Sequence, residues 1–352
     1  MKDKLMKNTA LYSAGFFTIA MCSIFFIGAN KEIKISHVSQ DEVIADTPIE
    51  NSSDTPQIPD NLITFDEEIT NTEYLCIPLP ENIEAENITI ENHYMDRELC
   101  IVLSDVDSGY YRTHSLGGNH KDIVDGSFEN KGRDCILCLN TKGIFEYKTI
   151  LEDNELYVSF ITPGELYEKI VVIDPSHGGN DAGAKANEFS EKDIVLEVTK
   201  KLKEKLDATD IKTYYTRMDD VNPAEESRIA LANETKADMY IRIEVSNNAD
   251  TSIYGVECEY NDEFFIPGFG SVELSDNMET EVVTAIKGKA LGLVKAPSQS
   301  TTLRKATVPA TTLKVGCITN KQEAALLGRE DYVDRIAEGI YNGIVKSLED
   351  MK

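Results

Sequence analysis

The residues best placed to do chemistry in this 352-residue chain lie in Ile173-Asp174-Pro175-Ser176-His177-Gly178-Gly179. An apolar, β-branched run leads into Pro and then a Gly pair. The segment therefore reads as a buried strand ending in a tight turn with an imidazole at its tip. An imidazole held in this way can ligate a metal or move a proton. His177 is the only histidine after residue 120, so a metal centre built on this turn needs further ligands that are not histidines of the same region. The competing reading is structural: a lone His in a glycine turn can report fold without activity.

Other chemistry-bearing residues are weaker candidates. His93, His114 and His120 fall in polar stretches and read as surface histidines. The seven cysteines (Cys22, Cys76, Cys100, Cys135, Cys138, Cys258 and Cys317) are an odd scatter rather than a disulfide framework. Cys135 and Cys138 have CxxC spacing, but residues three apart on a strand point to opposite faces. No second CxxC exists, so buried free thiols are the expected state.

The elements that must position His177 alternate between strand and helix. Strands are expected over residues 169–173, 212–217, 239–245, 255–260 and 312–318. Ser190, with Asp193 three later, starts a helix whose Ile194, Val198, Leu202 and Leu206 form one apolar stripe. Pro223 suits the first turn of a helix reaching about Lys236. Further helices are expected around residues 279–291 and 329–347, the latter burying Tyr332, Ile336, Ile340 and Ile344. This alternation predicts a three-layer α/β domain over residues 169–350. Sites in such domains form at the carboxyl ends of strands, near which His177, Glu244 and Gly316 all lie.

Before it, residues 61–165 hold short strand-like runs separated by polar turns, which predicts a small all-β sandwich. Residues 30–60 read as a disordered acidic linker: from residue 35 on they carry six acids, three prolines and no Lys or Arg. Residues 9–29 are 21 uncharged residues, long enough as a helix to cross the ~30 Å hydrocarbon core. Lys2, Lys4 and Lys7 precede them, which predicts a cytoplasmic tail over 1–8, a single-pass anchor and an exported body. A cleavable signal peptide ending near Ala29 is the alternative. The net charge of −27 argues against nucleic acid or an anionic lipid surface as the main partner.

The second half of the chain resembles the zinc-dependent N-acetylmuramoyl-L-alanine amidases of bacterial cell-wall turnover. The resemblance covers about residues 169–346. It is carried by the His177 turn with Asp181 and Gly183-Ala184, then Ser190-Glu191-Lys192-Asp193. Thr216-Arg217, Asp219, Arg228, Ala232-Asn233, Ala237-Asp238 and Gly255-Val256-Glu257 follow. Pro309, Gly316, Asn320, Glu323 and Leu326-Leu327 close the series. The resemblance implies His177 and Glu191 as zinc ligands, zinc as cofactor and peptidoglycan or cell-wall proteins as partners. It also suggests that the preceding β domain is a wall-binding sandwich. Asp174, Arg217 and Arg228 read as scaffold.

Besides Ser176, where the family usually has Gly, two positions depart from the family pattern. Where the resemblance implies a second zinc histidine, this chain has Glu244, in Arg242-Ile243-Glu244. Where it implies the catalytic glutamate, this chain has Lys314. Catalytic zinc takes three protein ligands and keeps an open position for water. His177, Glu191 and Glu244 could hold the ion, but two anionic ligands weaken its pull on bound water. An ammonium has no lone pair, so Lys314 cannot act as base. The two changes suggest a metal-free site in which Lys314 closes onto Glu191 and Glu244, with Arg242 as a second cation nearby. Three functional readings follow. One is a membrane-anchored, extracytoplasmic, catalytically impaired family member that binds the wall or a partner. Another is a working amidase with an atypical zinc site, Glu244 as ligand and an acid such as Glu257 as base. The third is a purely structural envelope protein with no glycan affinity.

Overall fold

A computed structural model describes residues 33, 35–38, 61–66, 73–263 and 265–352. The expected tail (1–8), membrane segment (9–29) and most of the acidic linker lie outside the described residues. Among the described residues, no helix is long and apolar enough to cross a membrane.

Residues 35–37, 61–66 and 73–161 form two five-stranded sheets. One runs Ile35–His37, Ile88–His93, Glu98–Leu103, Asp134–Thr141, Ile123–Lys131; the other runs Phe65–Asp66, Leu116–Gly118, Leu75–Pro78, Glu155–Ile161, Glu146–Glu152. Ile90, Ile101 and Leu137 of the first sheet pack on Leu75, Ile77, Leu156 and Val158 of the second, all fully buried. Alternate residues of each strand thus face one shared core, as a sandwich requires. The linker expectation is corrected at its start: Ile35–His37 pairs in parallel with Ile88–His93. Ile33 and Ile35 pack against the sandwich core, which offsets the entropy cost of ordering this stretch.

His93 is also not a surface residue. It ends a strand, is buried, and bonds Glu91 through Nε2 at 3.1 Å. Cys135 and Cys138 do face opposite ways, Cys135 into the core and Cys138 outward. The expectation of free thiols fails for Cys138, which is disulfide-bonded to Cys100. The two stand directly opposite on paired strands although 38 residues apart. Strand register brought them together, and sequence spacing does not display register.

The remaining chain builds an α/β unit. Its main-sheet strands are β1 (Ile170–Pro175), β2 (Lys212–Tyr215), β3 (Met239–Ser246), β4 (Val256–Tyr260), β5 (Ala290–Lys295) and β6 (Ala310–Cys317). Its helices include α1 (Glu191–Leu206), α2 (Glu225–Thr235), α3 (Ser271–Ile286), α4 (Lys321–Leu327) and α5 (Glu330–Asp350). The sheet order is β2-β1-β3-β6-β4-β5, parallel except for the β6/β4 pair. The helix expected over 279–291 ends instead at Ile286, and Ala290–Lys295 is the edge strand β5. Lys287, at φ 54°, terminates α3 in the left-handed conformation, and Gly288 follows.

Period-two alternation sorts each strand's side chains between two faces. Val171, Ile173, Ile241, Ile243, Leu313 and Val315 point to one face, packed on α1, α3 and α5. The stripe predicted for α1 is there: Ile194, Val198, Leu202 and Leu206 are buried. Each contributes ~1.5–3 kcal/mol by leaving water. Ile170, Val172, Tyr214, Tyr240 and Ala310 point to the other face, against Ile229, Leu231 and Ala232 of α2. Tyr94, Met95 and Ile144 of the sandwich join this second core. The sandwich therefore packs on that face of the sheet.

Candidate functional site

Asp174 is the last polar side chain of β1 before the turn, and it is fully buried. It accepts from Arg228 at 2.6 Å, Arg242 at 3.1 Å and Thr216 Oγ1, and from the Tyr240 hydroxyl. Burial alone would raise its carboxyl, but the guanidiniums of Arg228 and Arg242 outweigh that and hold it well below the usual carboxylate range. Arg228 also donates to the carbonyls of Pro175 and His177, at 3.0 and 2.8 Å. Arg217 donates to the carbonyls of Pro175, Ser176 and Lys192 at 2.8 to 3.0 Å. The two buried arginines thus satisfy carbonyls that the tight turn leaves without ladder partners. The turn itself needs left-handed backbone, with φ 60° at His177 and 127° at Gly178. A Cβ on Gly178 would stand 1.9 Å from the Val221 carbonyl oxygen, so only glycine fits.

His177 is half-buried between two carboxylates. Its Nδ1 lies 2.8 Å from Asp181 Oδ2 and its Nε2 3.3 Å from Glu191 Oε2. The bond to Glu191 is the main reason its imidazole is raised to about 9. Glu191 opens α1 and also accepts from the backbone N–H of Ala184 (2.9 Å) and Val245 (2.8 Å). Burial pushes its carboxyl up; His177 and the two N–H groups outweigh this and hold it below its ordinary value.

Glu244 is on β3 and Lys314 on β6, directly opposite each other. The expected closure of Lys314 onto Glu191 and Glu244 is not what forms. Lys314 bonds Glu257 at 2.9 Å and Glu259 at 2.5 Å, both on β4. Glu257 is its direct antiparallel partner and Glu259 lies two residues on, on the same face, so these carboxylates are nearer at hand. Burial opposes the charge, but bonds to Glu259 and Glu257 keep the ammonium above its ordinary value. Glu244 instead accepts from Arg242 Nε at 2.8 Å. Residues two apart on a strand share a face, and the arginine reaches Glu244 first. Arg242 further grips Glu225 of α2 with two bonds, of 2.7 and 3.0 Å. Burial raises the Glu244 carboxyl, against the lowering effect of Arg242.

The closing segment is explained by local bonding. Asn320 caps α4, accepting from the N–H groups of Gln322 and Glu323. Glu323 accepts from the N–H groups of Gly255 and Cys317, tying β4 to the end of β6. Sequence reasoning singled out neither Glu225 nor Glu259. Period-two spacing from Glu257 carried a signal for Glu259; Glu225 carried none, because its role depends on how α2 crosses the sheet.

The family of N-acetylmuramoyl-L-alanine amidases matches residues 171–346. This is half of the chain, which belongs to that family of cell-wall amidases. The protein YqiI of Bacillus subtilis (strain 168) is 31% identical over 176 residues, 50% of this chain and 83% of that protein. The germination-specific N-acetylmuramoyl-L-alanine amidase of the same organism is 28% identical over 224 residues, 58% of this chain and 89% of that protein. Among solved structures, an N-acetylmuramoyl-L-alanine amidase from Clostridium difficile 630 is 32% identical, covers 51% of this chain and 97% of its own, and superposes with a TM-score of 0.48.

The family's zinc can be tested against the residues present. Tetrahedral bonds of ~2.0–2.1 Å place two ligand atoms about 3.3 Å apart. His177 Nε2 and Glu191 Oε2 stand at 3.3 Å, so these two fit. A third does not join them. Among the described residues, no His, Cys, Asp or Glu completes a three-donor set with this pair within 4.8 Å. Glu244 is the expected third ligand, and its carboxylate is held by Arg242. The side chains as they stand offer half of a zinc centre.

Proposed function

We propose that this chain is a catalytically impaired member of the cell-wall amidase family, anchored through residues 9–29 with its body outside the membrane, and that it binds peptidoglycan without cleaving it. The observation that carries this reading is the double diversion of charge at the site. Glu244 is bound to Arg242 at 2.8 Å, and Lys314 is bound to Glu257 at 2.9 Å. An amide hydrolase needs a base beside its nucleophilic water, and losing one alone costs ~10²–10⁴-fold in rate. Lys314 is a cation stabilised by two carboxylates, and Glu257 is occupied by it. Among the described residues, the carboxylates of Glu244, Glu257 and Glu259 are each held by a cation rather than free to take a proton.

The pairing of His177 with Glu191 favours a second reading, a residual amidase with an atypical zinc site. One experiment separates the two. Oxidised full-length chain is assayed for bound zinc and for peptidoglycan clearing in a gel, beside a His177→Ala variant. Impairment predicts sub-stoichiometric zinc, no clearing by either protein, and co-sedimentation of both with insoluble peptidoglycan. One zinc per chain together with clearing that His177→Ala abolishes would overturn it.

A further inference from the structure

A second set of metal-capable side chains lies on the sandwich, far in sequence from the His177 turn. Glu98, Cys100 and Cys138 bring one donor atom each to within 4.8 Å of one another. Strand pairing explains this. Cys100 faces Cys138 across the Glu98–Leu103/Asp134–Thr141 ladder, and Glu98 lies two residues before Cys100, on the same face. Cys100 Sγ is 3.3 Å from Glu98 Oε2. The adjacent strand adds Glu91 opposite Cys100 and His93 opposite Glu98, with His93 Nε2 bonded to Glu91. The outer face of one sheet therefore carries two sulfurs, two carboxylates and an imidazole. None is used by the His177 site.

We propose that this patch is a redox-gated site for a thiophilic divalent cation of the zinc class. In the oxidised chain the sulfurs are bonded to each other and offer no thiolate. A dithiol reductant opens the site. Its thiolate attacks Sγ of Cys138, the less buried of the two residues, and Cys100 leaves as thiolate. The reductant's second thiol then attacks the mixed disulfide, closes its own disulfide and releases Cys138. Two electrons pass from the dithiol to the cysteine pair. The cation displaces the protons of the two thiols and is held by Cys100 Sγ, Cys138 Sγ and one Glu98 oxygen, with water in the fourth position. Tetrahedral Zn–S bonds of ~2.3 Å place two sulfurs about 3.8 Å apart. A pair with Cα atoms 4.4 Å apart reaches that spacing by side-chain rotation. Disulfide and metal are thus alternative cross-links of the same two strands, and the sandwich keeps its register in both.

The test uses the full chain, reduced with a phosphine, desalted without oxygen and titrated with cobalt(II) alone. The expected result is one cobalt per chain with thiolate-to-metal charge-transfer absorption, displaced by zinc. That absorption should be missing from the oxidised chain and from the Cys100→Ser, Cys138→Ser variant. It should be kept in His177→Ala, and Glu98→Gln should bind at least tenfold more weakly. Three results would each overturn the proposal: a reduced chain with no charge-transfer band, a band that survives loss of both cysteines, or loss of the far-ultraviolet β signal on reduction.

Discussion

Glu244 and Lys314 stand directly opposite each other on adjacent parallel strands, yet their charges are satisfied elsewhere. Lys314 turns to Glu257 and Glu259, and Glu244 to Arg242. The two substitutions are therefore not one exchanged ion pair; each is embedded in its own local network. Removing the ammonium leaves Glu257 and Glu259 facing one another in a partly enclosed place. Lys314→Met should destabilise the chain by ~1–3 kcal/mol at neutral pH, below the cost of a fully buried pair because the group keeps some solvent contact. Urea denaturation at pH 7 checks this.

Separate networks also mean that the site can be rebuilt one position at a time. Glu244→His frees Arg242 Nε but leaves that guanidinium its two bonds to Glu225 and its contact with Asp174. The fold should survive, with a loss of about 1 kcal/mol. The new imidazole would complete a set with His177 and Glu191. Zinc measured on oxidised protein should rise from sub-stoichiometric to near one per chain. Amidase activity should appear only when Lys314→Glu is added, because the single variant has a ligand set and no base. If the double variant binds zinc and stays inert, the impairment lies beyond these two residues.

Much of this architecture was legible in the sequence because its signals are local. The stripe Ile194, Val198, Leu202, Leu206 marked α1, and the apolar run before His177 marked β1. The turn at residues 176–179 was legible through its glycines. Which charge meets which was not. Lys314 lies 57 residues from Glu257 and Arg242 lies 17 from Glu225, and only sheet order and helix crossing set those distances. The Cys100–Cys138 bond escaped for the same reason. The first two residues of the strand Ala290–Lys295 fell within the helix expected over 279–291, because Ala and Leu favour helix, and pairing with β4 overrode that preference.

Asp174 should be the least replaceable charge in the α/β unit. It has no solvent contact and is the shared acceptor for Arg228 and Arg242. Asp174→Asn keeps the shape but leaves two buried guanidiniums without their common anion. A loss of ~3–5 kcal/mol is expected, from the cost of an uncompensated buried charge. Because Arg228 also holds the carbonyls of Pro175 and His177, the turn should loosen with it. The measurement is a chemical denaturation midpoint together with amide exchange over residues 174–183. A variant with unchanged stability would show that the arginines, not the aspartate, set the turn.

The joint between the sandwich and the α/β unit should give the chain an acid-sensitive stability. Glu146 is buried there. It accepts from the Tyr214 hydroxyl and pairs with Lys212 and His37, at 2.7 Å each. Burial raises its carboxyl, but His37 and Lys212 outweigh that and hold it at about 2. An unfolded glutamate titrates near ~4.3. A carboxyl lowered on folding contributes its full stability above the unfolded value and loses it as pH falls through the folded one. The window is therefore about pH 4.3 down to 2, and the shift corresponds to ~3 kcal/mol at most. Lys212 reduces the net gain, since burial draws its ammonium below the ordinary value despite Glu146. Glu146→Gln should cost ~1–3 kcal/mol at pH 7 and flatten the acid limb of the stability profile. Urea midpoints collected from pH 7 to pH 2 decide the matter. Wild type should fall more steeply than the variant below pH 4.3, and parallel curves would mean that Glu146 is not held ionised at the joint.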